Sequence, residues 1–197
     1  MIRIKNLELK LGKHEIFSGL DVEISRGEKV GIIGGEGSGK STLLDILAGR
    51  VPSTSGEIEI SGEVLSVNGS VYADFSDLRK AEMSAVEKLK RALRGLKDDE
   101  IILLLDEPTK NLEADGIEWL INFLHEHANL TTVIVSSDRY FLRQTCSRMI
   151  QLGTTQVEPV IINCAQLLPK TPLGALPIVL EANNLLKIAT VSHYFRT

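Results

Sequence analysis

The feature that most constrains this sequence is a glycine-rich octapeptide at residues 34–41, which lies between an apolar run and a helical pattern. The run at residues 29–33 is almost continuously apolar, as is typical of a strand buried on both faces of a parallel sheet. Residues 40–48 place their leucines on one side of a helix, and Gly49 then follows as a common stop signal. Strand, turn and helix in direct succession predict an α/β fold.

The octapeptide fits the pattern G-x-x-x-x-G-K-[ST], in which backbone N–H groups and a helix N-terminus converge on a phosphate. Glycines allow the close backbone approach and the positive φ angles that such a loop needs. In this geometry Lys40 reaches the β- and γ-phosphates, Ser41 places its hydroxyl on Mg²⁺, and Thr42 flanks the α- and β-phosphates. The predicted nucleotide-binding residues are Gly34, Gly35, Glu36, Gly37, Ser38, Gly39, Lys40, Ser41 and Thr42. The alternative is a structural glycine-rich turn without a ligand.

A second apolar run ends in two carboxylates. Five consecutive apolar residues at 101–105 are followed by Asp106 and Glu107. A Mg-nucleotide site needs a carboxylate opposite its phosphate loop, so Asp106 is predicted to hold Mg²⁺ together with Ser41. Glu107 is the predicted catalytic residue, because it could polarise a water for in-line attack on the γ-phosphate. Alone, such a pair more often marks a turn or a helix start.

The rest of the chain alternates between strand and helix patterns. Further strands are predicted at residues 2–11, 20–24, 57–61, 63–67, 131–135, 149–152 and 157–162, and further helices at 76–97, 117–124 and 140–148. The first strand has a bulge near Lys5 and Asn6, where its period-2 pattern slips. The alternation predicts a mixed, mainly parallel sheet with flanking helices.

Composition bounds the class of protein. A chain of 197 residues with 43% hydrophobic residues is suited to one globular domain, and a net charge of −4 argues against a surface wholly devoted to nucleic acid. A basic run at residues 79–97 could still contact RNA phosphates, although a solvated helix face is the commoner explanation. Cys146 and Cys164 are predicted to be reduced thiols. No export signal is evident, and the prolines within residues 159–180 disfavour a membrane span, so we expect a cytoplasmic location without membrane insertion.

Residues 105–109, Leu-Asp-Glu-Pro-Thr, behind the phosphate loop resemble the nucleotide-binding domain of an ATP-binding cassette (ABC) protein, a P-loop NTPase. Residues 103–124 and 133–152 resemble the ABC-F group, whose members are soluble tandem cassettes that act on ribosomes. The most group-specific piece is Ser-Asp-Arg-Tyr-Phe-Leu at 137–142. The resemblance implies an ABC cassette core, ATP and Mg²⁺ as cofactors, a second cassette as partner, and the ribosome or its RNA as a further partner.

Two departures concern the groups that complete an ATP site in this family. The family's signature, Leu-Ser-Gly-Gly-Glu, is replaced at residues 83–87 by Met-Ser-Ala-Val-Glu, so both glycines are lost. Ser137 stands where the resemblance implies the switch histidine, and a serine cannot carry a proton in the same way. We therefore expect nucleotide binding with slow ATP hydrolysis.

Other departures lie around the nucleotide. No glutamine occurs between Ser41 and Arg143, so the family's Q-loop ligand is absent, and Leu11 stands in the place of the aromatic that stacks on adenine. The interval from Lys40 to Asp106 is short for the family, which predicts a reduced helical subdomain.

The predicted organisation is a nucleotide-binding domain at residues 1–153, a proline-rich closing strand or linker at 154–177, and a possible start of a second cassette at 178–197. The expected function is ATP-driven conformational change on a ribosome-type partner. The alternatives are an ATP-binding subunit of an ABC transporter and a non-catalytic, nucleotide-dependent interaction module.

Overall fold

The computed structural model describes residues 1–11, 14–69, 84–96, 101–153 and 160–163. The predicted segments 154–177 and 178–197 lie almost wholly outside these residues, so the domain boundaries stay predictions. Cys146 is a buried free thiol, as expected, and Cys164 lies outside the described residues. Within the described part of the chain, no helix combines the length and apolar character that crossing a bilayer requires.

The described residues form nine strands and four helices. In order they are β1 Ile2–Leu11, β2 His14–Ile24, β3 Lys29–Gly34, α1 Lys40–Leu47, β4 Ser55–Ile60, β5 Glu63–Asn68, α2 Ala85–Ala92, β6 Ile101–Asp106, α3 Ala114–Glu126, β7 Thr131–Val135, α4 Arg139–Thr145, β8 Arg148–Leu152 and β9 Val160–Asn163.

The strands form two sheets. A six-stranded sheet has the order β5-β6-β7-β3-β8-β9, in which every neighbouring pair is parallel except β8 and β9. A three-stranded antiparallel sheet has the order β2-β1-β4. The register of β1 shifts between Ile4 and Leu7, which confirms the predicted bulge. The mainly parallel sheet with flanking helices is also confirmed.

The core divides along the two faces of the six-stranded sheet. In β6, Ile102 and Leu104 belong to the cluster that the three-stranded sheet and α1 share, whereas Leu103 and Leu105 belong to the cluster beneath α2, α3 and α4. All four are at most 1% exposed. Because successive strand residues point to opposite faces, a strand covered on both sides must be apolar throughout. This burial explains the continuous run at 101–105.

The bounds of two predicted helices differ in the structure, one at its start and the other at its end. A single helix over 76–97 is wrong, because α2 begins after Ser84, which has extended backbone and caps it by accepting from the N–H of Glu87. Residues 76–83, the first part of the predicted helix, lie outside the described residues. The helix predicted to run to Arg148 ends at Thr145, because Arg148 pairs with Val30 as the first residue of β8. Pairing with the buried β3 overrides the local helix preference there.

An ion pair fastens β8 to the turn before β3. Arg148 donates through Nε to Glu28 Oε1 and through Nη2 to Glu28 Oε2, the latter at 3.2 Å, and also to the carbonyl oxygen of Glu23. Burial alone would raise the pKa of Glu28. The hydrogen bonds from Arg148 and from the N–H of Ser25, with the Arg148 charge, outweigh burial and lower this pKa.

We expect Arg148→Met to lower the free energy of unfolding at pH 7 by about 1.5–3 kcal/mol, the worth of a hydrogen bond to a charged group. Because folding lowers the pKa of Glu28, the pair's contribution is present above the carboxyl's ordinary pKa and disappears as pH falls through the folded value. Urea unfolding at several pH values measures both effects. The matched control is Arg3→Met, which removes exposed pairs with Glu23 and Glu59 and should cost less than about 1 kcal/mol. Equal losses in the two variants would contradict this assignment.

Candidate functional site

The glycine-rich loop connects the end of β3 to the start of α1, as predicted. Gly39 is the N-cap of α1 with φ 85°, and a Cβ there would lie 2.5 Å from Ile16 Cγ2, so only glycine fits. Since this N-cap has no side chain, the first N–H groups of α1 receive no side-chain cap. An uncapped helix N-terminus behind a tight loop is suited to an anion.

Two polar groups of the loop are of the kind that a phosphate ligand would engage. Lys40 Nζ donates to the carbonyl oxygens of Gly34 at 2.9 Å and Gly35 at 2.8 Å, so the ammonium lies across the loop. The hydroxyl of Ser38 is buried, and within the described residues it has no hydrogen-bond partner. A buried hydroxyl without a partner is costly unless a ligand or water satisfies it.

The remaining predicted nucleotide-binding residues lie on the same loop and on the start of α1. Glu36 and Gly37 form the exposed tip of the loop, and Thr42 is half-buried in the first turn of α1. All nine predicted nucleotide-binding residues therefore lie on one continuous loop and helix start.

Asp106 lies at the carboxyl edge of the sheet, within reach of α1. Ser41 Oγ donates to Asp106 Oδ1 at 3.3 Å, so the two predicted metal residues come together. Burial raises the pKa of Asp106, and the charges of Glu107 and Asp45 raise it further, whereas the Ser41 hydrogen bond and the Arg50 charge oppose the change. A site that resists a lone negative charge favours a bound cation.

Glu107 is fixed at both its backbone and its carboxylate. Its φ of 47° is uncommon for a residue with a side chain, and its N–H donates to the carbonyl oxygen of Val135 at 2.7 Å. Its carboxylate Oε2 accepts from both the N–H and the hydroxyl of Ser137, each at 3.0 Å. The carbonyl oxygen of Glu107 also lies 2.1 Å from where a Cβ on Gly69 would be, so Gly69 has no room for a side chain.

These residues fit Mg²⁺ only together with a nucleotide. Among the residues that the structure describes, no group of three or more His, Cys, Asp or Glu side chains could hold a metal ion. Mg²⁺ commonly binds through one or two carboxylates and the phosphates of its substrate. Asp106 and Ser41 match that donor set.

The residues that depart from the family pattern fall in three places. Ser137 contacts Glu107 directly. In the altered signature, Ser84 caps α2, and Val86 Cγ2 lies 2.5 Å from where a Cβ on Gly116 of α3 would be, so this side chain faces α3. The side chain of Leu11 lies outside the described residues.

Sequence reasoning missed two site residues. Asn68 Nδ2 donates to Asp106 Oδ2 at 3.2 Å, in an interval where the family resemblance implies a glutamine. The sequence offered one signal, which is a polar residue at the end of the strand next to β6. Arg50 donates to Asp45 Oδ1 at 2.8 Å and to Ser66 Oγ at 3.0 Å, which ties the end of α1 to β5. This contact depends on tertiary packing and had no local signal.

Comparison with known proteins agrees with this geometry. A family model described as "ABC transporter" matches residues 17–97. The ribosome protection protein VmlR of Bacillus subtilis is 31% identical over 77% of this chain and 31% of its own length. The ABC transporter F family member 5 of Arabidopsis thaliana is 27% identical over 77% of this chain and 28% of its own length. The chain therefore spans less than a third of the length of these relatives.

The fold also has a solved counterpart. The dimeric post-hydrolysis structure of the ATP-binding cassette MJ0796 bound to ADP and Pi aligns with a TM-score of 0.63 and 20% identity, covering 83% of this chain and 99% of that one. At this identity the likeness concerns the fold alone. The family match and the F-family relatives support an ABC nucleotide-binding domain that resembles those of the ABC-F group.

Proposed function

We propose that the chain binds Mg-ATP at residues 34–42 and hydrolyses it slowly, coupling the nucleotide state to a conformational change on a ribosome-type partner. The observation that carries the nucleotide half of the proposal is the meeting of Ser41 with Asp106 at 3.3 Å, beside a loop crossed by Lys40. Cation, phosphate and carboxylate groups then converge at the carboxyl edge of a parallel sheet, where ligands of α/β proteins bind.

Each of the chain's own groups has a separate task in this proposal. The loop N–H groups and the α1 N-terminus bind the phosphates, and Lys40 leaves its two carbonyl partners to neutralise the β- and γ-phosphates. Bound Mg²⁺ supplies the positive charge that offsets negative charge on the transferred phosphoryl group. Glu107 accepts a hydrogen bond from the attacking water and orients it.

Slow turnover follows from what the site lacks. Ser137 is uncharged and short, and its two hydrogen bonds go to Glu107. Loss of one charge-stabilising donor from an active site lowers rate by roughly 10²–10³. The phosphate loop and Asp106, which supply most of the phosphate and cation affinity, are retained. Binding should therefore be affected much less than hydrolysis.

The ribosome-type partner rests on resemblance to VmlR, which is named a ribosome protection protein. An RNA-bearing partner is supported by exposed basic side chains at this place, Lys90 and Arg91 on helix α2 and Arg94 in the turn that follows it. Lys90 also lies over the Trp119 ring, with its Nζ 5.1 Å from the ring centroid. Co-sedimentation of the chain with ribosomes, with and without ATP, tests this part.

Two other functions remain as alternatives. The matched family model is described as "ABC transporter", which favours an ATP-binding subunit of such a system. Absence of ribosome binding, together with binding to a membrane complex, would support it. The loss of both signature glycines and of the switch histidine favours a non-catalytic interaction module, for which ATP binding without turnover is expected.

The first test compares the wild-type chain with Lys40→Ala and Glu107→Gln. We expect Lys40→Ala to lose ATP affinity by at least tenfold, because a charge-assisted contact worth about 1.5–3 kcal/mol is removed. Glu107→Gln should keep wild-type affinity and lose turnover. Titration with a fluorescent ATP analogue and a phosphate-release assay measure the two quantities. Equal turnover in the wild-type and Glu107→Gln chains would contradict the role of Glu107.

Asp106→Asn should separate stability from function. Folding raises the pKa of Asp106, so its ionised form weakens the folded state above the folded pKa, and this penalty vanishes as pH falls below the ordinary carboxyl value. We therefore expect Asp106→Asn to raise the free energy of unfolding of the nucleotide-free chain at pH 7 by up to about 1 kcal/mol. The same variant should lose the gain in ATP affinity that Mg²⁺ provides. Glu57→Gln on the exposed β4 is the control, and a destabilised Asp106→Asn would refute the prediction.

Ser137→Ala removes one of the two donors that hold Glu107 and leaves the backbone donor in place. We expect kcat to fall roughly tenfold, as for a lost hydrogen bond to a charged group, with nucleotide affinity unchanged. Ser137→Thr keeps the hydroxyl and should restore most of the rate. Steady-state kinetics, with Ser61→Ala as an exposed hydroxyl control, give kcat and KM separately. A loss confined to KM would argue against a role for Ser137 in positioning Glu107.

A further inference from the structure

We infer that Glu36 is a specificity-determining residue of the nucleotide site, because its carboxylate shifts the preference of the phosphate loop from ATP toward ADP. The inference rests on the proposed Mg-ATP binding and adds a control on which nucleotide the site retains. It comes from the turn that presents Glu36, from the absence of a paired cation among the described residues, and from the charge balance of the loop.

A tight turn presents Glu36 at the tip of the phosphate loop. The N–H of Ser38 donates to the carbonyl oxygen of Gly35 at 3.3 Å, so Glu36 and Gly37 are the two central residues of the turn. Gly37 has φ 75°, as the third residue of a type II turn requires. Apart from its chain neighbours, no described atom would lie within 4 Å of a Cβ on Gly37. Glu36 is exposed beside this open space.

No positive side chain that the structure describes is paired with the Glu36 carboxylate. The loop contains one cation, Lys40, and its Nζ donates instead to the carbonyl oxygens of Gly34 at 2.9 Å and Gly35 at 2.8 Å. Within the described ranges, Glu36 takes part in no side-chain hydrogen bond and no ion pair. The tip of the loop therefore presents a negative charge that its own surroundings do not offset.

The charge balance of the loop opposes a triphosphate. Lys40 is the one cation and Glu36 the one anion among residues 34–42, so the side chains of this segment have no net charge. Attraction for phosphate then depends on backbone N–H groups and on the N-terminus of α1. Glu36 lies among those N–H groups, so its carboxylate is about a side-chain length from any phosphate that they hold. Salt screens this repulsion only in part, because the Debye length is about 8 Å at physiological ionic strength.

Repulsion from one fixed charge distinguishes nucleotides by the charge that they carry. MgATP has about twice the net negative charge of MgADP, so the carboxylate opposes MgATP more strongly. Backbone contacts that both nucleotides share provide no such difference. Glu36 therefore has two opposing effects, since its backbone belongs to the phosphate-binding loop while its side chain weakens the hold on the triphosphate.

The test measures the dissociation constants of the full chain for MgATP and MgADP by displacement of a fluorescent nucleotide analogue. We expect Glu36→Gln to bind MgATP about three- to tenfold more tightly than wild type, because one nearby like charge is removed. The gain for MgADP should be only about two- to threefold, because that ligand has about half the charge. Raising NaCl from about 0.05 M to about 0.5 M should reduce both gains.

Two further variants separate the charge of Glu36 from the shape of the turn. Glu36→Asp keeps the charge, so both of its dissociation constants should stay within about twofold of wild type. Glu118→Gln removes an exposed carboxylate from α3, which packs on the opposite face of the six-stranded sheet from α1, and should leave both constants unchanged. Thermal melts confirm that each variant is folded.

Three results would overturn the inference. Unchanged or weaker MgATP binding by Glu36→Gln would mean that the carboxylate does not repel the nucleotide. Equal gains for MgATP and MgADP would remove its role in specificity. Equal changes in Glu36→Asp and Glu36→Gln would assign the effect to the shape of the turn. A wild-type chain that binds neither nucleotide would instead refute the proposed function, and the inference with it.

Discussion

The parallel pairing of β6 between β5 and β7 is the constraint on which the site depends. The register aligns Asn68, Asp106 and Val135 in one row at the carboxyl edge of the sheet. Glu107 follows Asp106 and bonds through its N–H to the carbonyl oxygen of Val135, and Ser137 follows Val135 by two residues. A slip of one residue in either pairing would turn these side chains to the opposite face. Burial of both faces of β6 makes that slip costly.

The burial that holds the register also shapes the electrostatics. Asp106 extends from a strand whose preceding apolar residues are almost fully buried, and this raises its pKa. The same feature makes the carboxylate a better partner for a cation than a fully hydrated one. Stability and the proposed cation binding therefore oppose each other at this position. That opposition is common where a binding site is built from poorly solvated charge.

How much could be predicted from the sequence depends on whether the interaction is local. The phosphate loop was predictable because its glycines, Lys40 and Ser41 lie within one strand–turn–helix unit. The position of Asp106 at the edge of the sheet was predictable because the apolar run of a buried strand ends immediately before it. The contacts of Asn68 with Asp106 and of Ser137 with Glu107 join residues 38 and 30 positions apart, and only the sheet register brings them together. The start of α2 was missed because the Ser84 cap competes locally with helix continuation.

The charged groups of the site largely satisfy one another. Lys40 bonds to two loop carbonyls, Asp106 accepts from Ser41 and Asn68, and Glu107 accepts from Ser137. Nucleotide binding therefore exchanges one set of hydrogen bonds for another, so the net gain per contact is small. The phosphates can draw Lys40 away from the loop, but they also bring negative charge toward Asp106. Bound Mg²⁺ would supply positive charge that offsets this repulsion, with Asp106 and Ser41 as the residues that would hold it. A site arranged in this way should bind nucleotide and cation together more readily than either alone.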